Sequence, residues 1–156
     1  MSRSGVHPKT VKIQAAMKRL LVTSYWIGII ADAVATVLLF SLTVAEIILH
    51  PQSFQITPIY LYVSRVAGAL MLGWTVLLFW AQQKPVERAD ILLITIFPVV
   101  TILAGAATHA VISQAISVVN LMSMFMLYIV LFGTYIPSYL WAKKQKVARC
   151  LNKQLE

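Results

Sequence analysis

The sequence predicts an all-α membrane protein, a four-transmembrane-helix bundle with up-down topology, and three observations carry that expectation. Of 156 residues, 60% are apolar and 12% charged, with a mean hydropathy of +0.81, whereas a soluble domain is about 45–50% apolar and about 25% charged. Four apolar segments are long enough to cross about 30 Å of hydrocarbon, which takes about 20 helical residues. Lys and Arg collect in three of the polar segments and avoid the other two. This composition excludes a soluble enzyme, a disordered segment and a disulfide-stapled module. The whole chain, 1–156, reads as a single integral membrane domain.

The first span is expected over about 20–49. It is too long for the apolar region of a signal peptide and carries Asp32 in its middle. His50-Pro51 stops it, because proline disfavours α geometry in the residue before it. Thr57-Pro58 reads as an N-cap followed by proline in the first turn, opening a second span at 59–81. The third, about 86–112, starts from Lys84-Pro85 with Glu87 and Asp90 placed to complement the helix dipole. A fourth follows at 115–142. Positions 108–117 hold neither Gly nor Pro, so Ser113, Gln114 and Ser117 mark the expected reversal.

Beyond Ala142 the tail 143–156 is basic and amphipathic: Val147, Cys150, Leu151 and Leu155 recur at helical spacing, with Lys146, Arg149 and Lys153 elsewhere. A single cysteine excludes an intrachain disulfide, a Cys-x-x-Cys pair and a thiolate metal site.

Of 13 basic residues, five precede the first span, Lys84 and Arg88 lie in the 83–90 segment, and five follow the last span. The connections at 50–58 and 113–117 hold none. The positive-inside rule then puts both termini in the cytoplasm, with Tyr25, Trp26, Trp80, Tyr139 and Trp141 near the cytoplasmic interface. The net charge of +8 is therefore expected to meet anionic lipid headgroups rather than nucleic acid.

Ionisable groups inside spans cost about 2.5–3.5 kcal/mol each on insertion and are functional candidates by default. Glu46 and Arg65 both descend from the external face, about 5 Å apart in depth. They are expected either to pair and lock the first two helices or to form a ligand or headgroup site. Asp32 lies about 18 Å from the cytoplasmic start of its span, with no basic residue at its level. Thr101 and Tyr128 fall at similar depth. Asp32 is either a hydrogen-bonded helix contact or a proton- or cation-linked site. His109 joins Arg65 and Glu46 in an external polar patch, but a lone histidine makes neither a metal nor a haem site. No cofactor is expected.

Pro98 and Pro137 each remove a helical hydrogen bond, freeing the carbonyls of Ile94 and Gly133, with Thr95 and Thr134 placed to compensate. Ser64 and Gly68, and the run Gly105-Ala106-Ala107, permit close helix approach.

No catalytic constellation is present, so the leading expectation is an accessory, assembly or ligand-binding bundle, alone, as a homo-oligomer or in a larger membrane complex. One alternative is a proton- or cation-coupled small-solute transporter or channel using Asp32. Another is a membrane-embedded enzyme acting on a lipid or quinone at the external patch.

Overall fold

The computed structural model describes residues 8–41, 57–114 and 117–154. They are all-helical, and four of the helices are long and apolar enough to cross a membrane. We label them α1 (Pro8–Phe40), α2 (Pro58–Gln82), α3 (Asp90–Ile112) and α4 (Val118–Gln154). Glu46, the His50-Pro51 stop and the end of the first span beyond Ser41 lie outside the described residues.

Local chemistry explains the boundaries. α1 opens on Pro8, whose missing N–H is lost at no cost in a first turn. It starts 12 residues before the expected Leu20, because the polar segment with Lys9, Lys12 and Lys18 continues the helix beyond the apolar run. Thr57 caps α2 as expected: its backbone is extended and its hydroxyl oxygen accepts from the Tyr60 N–H at 3.3 Å. α3 begins at Asp90 rather than Val86, since 83–89 are spent in turns, with Arg88 N–H donating to the Lys84 carbonyl. The reversal after α3 falls on Ser113 and Gln114, and Gln114 takes a left-handed φ of 55°. Its N–H donates to the Val111 carbonyl and that of Ser113 to His109, closing the helix without a glycine.

Pro98 is accommodated differently from the expectation. Residues Thr95–Val100 form a π-helical turn, which re-pairs the ladder one residue further along. The Thr101 N–H and hydroxyl both donate to the Ile96 carbonyl. The Thr95 hydroxyl donates to Ile91, not to Ile94, and accepts the Trp74 indole N–H at 3.3 Å, tying α2 to α3. α4 runs through Pro137 as continuous helix, and Thr134 donates to Val130 rather than to Gly133.

α1 packs along both α2 and α4, and α4 packs along α3. Gly68 lets the Phe40 ring sit where a Cβ would meet it at 2.9 Å, and the Ser64 hydroxyl donates to the Leu39 carbonyl at 2.7 Å. Close approach at Ser64 and Gly68 thus follows the expectation. At Gly105 it does not: an added Cβ would find open space.

The densest packing lies toward the end where α3 begins and α4 ends. Leu21, Tyr25, Leu78, Ala81, Leu92, Tyr135 and Ala142 are fully buried there. Tyr25 is therefore packed in the core; its hydroxyl donates to the Arg88 carbonyl at 3.0 Å. Trp26 and Trp80 keep exposed faces. The Arg88 guanidinium lies 3.4 Å over the Trp80 ring and donates to the Trp80 carbonyl, while Lys146 reaches Asp90 at 2.7 Å.

Candidate functional site

Along α1, Ser24, Gly28, Asp32 and Thr36 recur every four residues and so share one face. On α4, Tyr128, Leu131, Tyr135 and Ser138 are spaced by three, four and three, which also defines one face. The two faces meet. The Ser24 and Ser138 hydroxyl oxygens are 3.0 Å apart. One turn further along α1, the Tyr135 hydroxyl rests on Gly28, in space that a methyl group at position 28 would occupy. Leu78 of α2 closes the other side, 3.2 Å from that position. Glycine is required there for room, not for backbone freedom.

Beyond Gly28 comes Asp32, whose side chain tilts back toward the α1 N-terminus and hence toward Tyr135. Asp32 and Tyr25 are the two titratable side chains that act on Tyr135 electrostatically. Asp32 Oδ2, the Tyr135 hydroxyl and the Tyr128 hydroxyl are buried without a hydrogen-bond partner among the described residues. Each such group costs about 1–3 kcal/mol, and more in hydrocarbon. Thr36 does not relieve Asp32: its hydroxyl donates to the Asp32 backbone carbonyl at 2.8 Å.

The neighbouring tier is saturated. The Ser24 hydroxyl has the Leu20 carbonyl at 2.8 Å and the Thr134 carbonyl at 3.3 Å as acceptors, besides Ser138. Tyr25 is spent on Arg88.

The other expected site residues are dispersed. Thr101 is exposed, with its hydroxyl bonded to its own helix. Arg65 is exposed on α2 and His109 is exposed on α3; Glu46, the third member of the expected patch, lies outside the described residues. Among the described residues no three His, Cys, Asp or Glu side chains converge to hold a metal. Sequence reasoning singled out Asp32 and Tyr128 but missed Tyr135, Gly28 and the serine pair. The signal available was the four-residue recurrence from Ser24 to Thr36.

Chemically, the arrangement offers one buried carboxylate oxygen and one buried phenol hydroxyl, neither with a hydrogen-bond partner among the described residues. A carboxylate in apolar surroundings can take up a proton. No protein-family model, no curated protein and no solved structure matches this chain.

Proposed function

We propose that the chain is a non-enzymatic, multi-pass membrane protein that reversibly binds a proton or small cation at Asp32, inside an up-down bundle. The observation that carries this reading is the buried carboxylate oxygen of Asp32, which has no hydrogen-bond partner among the described residues, on the same α1 face as Gly28, where the buried Tyr135 hydroxyl also has none. A bundle selected only for stability would satisfy or replace groups that cost this much. An ion or proton bound there would supply the missing partner.

Alternating helix direction is supported by the contact pairs: Ser24 with Ser138 and Gly28 with Tyr135, Leu39 with Ser64 and Gly28 with Leu78, Asp90 with Lys146. The start of α1, the end of α4 and the 83–89 turns then share one face. Their basic residues, Lys12, Lys18, Arg19, Lys143, Lys144 and Arg149 among them, suit the cytoplasmic side and its anionic headgroups. A second reading, an assembly subunit, is favoured by α2. It buries the smallest share of its apolar length within the bundle, leaving a long face for lipid or another helix.

Infrared difference spectra of the protein in lipid, wild type against Asp32→Asn, test the proposal. A protonated-carboxyl band that comes and goes with pH, or with added alkali cation, and is missing in Asp32→Asn is the expected result. A carboxyl signal that responds to neither refutes it. Single-cysteine variants at Gln52 and Gln114 should react with impermeant maleimide outside intact cells, and variants at Ser2 and Gln145 should not.

A further inference from the structure

Building on the membrane-spanning reading, and independently of Asp32, we propose that the paired ends of α1 and α4 stand clear of the bilayer and dock an acidic, amphipathic helix of a partner protein.

The two ends are matched in length. Ser24 meets Ser138, and Pro8 lies as far before the one as Gln154 lies after the other. At about 1.5 Å per residue, α1 is about 50 Å long and α4 about 55 Å. A bilayer with its headgroups is about 40–45 Å thick, and a tilt of about 20° shortens a helix by only about 6%. The apolar run of α1 starts at Leu20, and that of α4 ends at Ala142. Beyond them both helices continue, through 8–19 and 143–154, for about 18 Å each. The headgroup layer takes up about 5–8 Å of that length. About 10 Å, the outermost two turns of each helix, stands in water.

The charge of these ends is of one sign. Segment 8–19 carries four basic residues, 143–154 carries five, and neither carries an acid. The acids of the neighbouring turns are already engaged: Glu87 has Lys84 at 3.6 Å and Asp90 has Lys146 at 2.7 Å. Lys12, Lys143, Lys144 and Arg149 are exposed and form no ion pair among the described residues. Lys18 and Arg19 lie within the headgroup layer, whereas Lys12 and Arg149 lie about 10 Å or more past the apolar runs.

The outward face of α4 also carries an apolar stripe that outruns the membrane. Ile129, Ile136, Leu140, Val147 and Leu151 are spaced by seven, four, seven and four, and each is 46% to 67% exposed. Lipid covers the first three. Val147 and Leu151 lie about 7.5 and 13.5 Å past Ala142, at the edge of the headgroups and beyond them. Lys143 and Lys144 precede Val147 by four and three residues and so flank the same face. Apolar residues at i and i+4 bordered by cations fit a helix that brings its own apolar stripe flanked by Asp or Glu. A second copy would bring the same positive charge and be repelled. Neither 8–19 nor 143–154 holds an aromatic ring on which a nucleic-acid base could stack.

The test uses the full chain in lipid nanodiscs, with Cys150→Ser and single labelled cysteines. A fluorophore at Leu140→Cys should be quenched from the acyl chains; quenching from water instead removes the membrane reading itself. A fluorophore at Leu151→Cys should be quenched from water and not from the headgroups, in neutral and in anionic lipid alike. The binding probe is a synthetic helix of about five turns, with leucines at i and i+4 flanked by glutamates. It should bind in neutral lipid at physiological salt. Val147→Ser with Leu151→Ser, or Lys143→Gln with Lys144→Gln, should each weaken binding about tenfold or more at unchanged helix content. A peptide of the same composition with its apolar stripe scrambled should bind about tenfold or more weakly. Headgroup quenching at Leu151→Cys lays the helix ends on the membrane and overturns the docking surface. Absent binding, equal binding of the scrambled peptide or the variants, or tighter binding of polyuridylate overturns the acidic-helix partner while leaving the membrane reading standing.

Discussion

Two adjacent tiers of the same helix pair treat their polar groups in opposite ways. In the tier of Ser24, Tyr25 and Ser138, each hydroxyl has an acceptor within 3.3 Å, supplied by a carbonyl or by the facing serine. One turn further the Tyr135 hydroxyl, and one turn beyond that Asp32 Oδ2, are buried oxygens that have none among the described residues. The first arrangement joins α1 to α4 and to the 83–89 turns, as interhelical hydrogen bonds do in bundles. The second adds no hydrogen bond between helices and costs stability. Polar residues in a membrane bundle therefore cannot be sorted by residue type or depth. What sorts them is whether the partner is in place.

The largest expected effect tests the seat itself. Gly28→Ala forces a methyl group into the Tyr135 hydroxyl and against Leu78, an overpacking that should cost about 1–3 kcal/mol in reversible unfolding. Adding Tyr135→Phe removes the colliding oxygen and should recover most of that loss. Additive losses would mean that the two positions do not meet.

This contact shows where sequence reading stops. The four spans were legible because hydropathy over about 20 residues is a one-dimensional signal, and Thr57-Pro58 marked a real boundary because capping is local. Asp32 stood out as the lone mid-span acid. Its neighbour Tyr135 lies 103 positions away, and the rotational register of α4 against α1 is not written in either span alone. Tyr25 reads as an interfacial ring; the structure buries it, with its hydroxyl on the Arg88 carbonyl of the 83–89 turns, because helix packing and not distance along the span decides exposure. Pro98 marked a distortion but not its form: the π turn restores the ladder by shifting register, so Thr95 is released to accept from Trp74.

The second prediction sets the tiers against each other. Ser24→Ala and Ser138→Ala should each destabilise by about 1 kcal/mol, and the double variant by less than the sum, because one bond is counted twice. Tyr135→Phe should be neutral or stabilising, since it deletes an unpartnered hydroxyl and leaves no partner behind. Denaturation in detergent reads both. Equal losses in the two tiers would erase the distinction between them.

Smaller effects belong to the margins. Trp74→Phe removes the indole bond to Thr95 and should cost about 1 kcal/mol, with the loss shared by Thr95→Val in a double-mutant cycle. Lys146→Ala breaks an ion pair whose two side chains are 31% and 65% exposed, and should change the unfolding midpoint little, by about 0.2–1 kcal/mol.

The most direct measurement is a proton count. Potentiometric titration of the folded protein in lipid, wild type minus Asp32→Asn, should give a difference curve of one proton per chain, gained and released reversibly while helix content stays constant. A flat difference curve through the range in which the bundle remains folded would contradict the assignment of Asp32 as a working proton site and return it to the structural polar groups of the bundle.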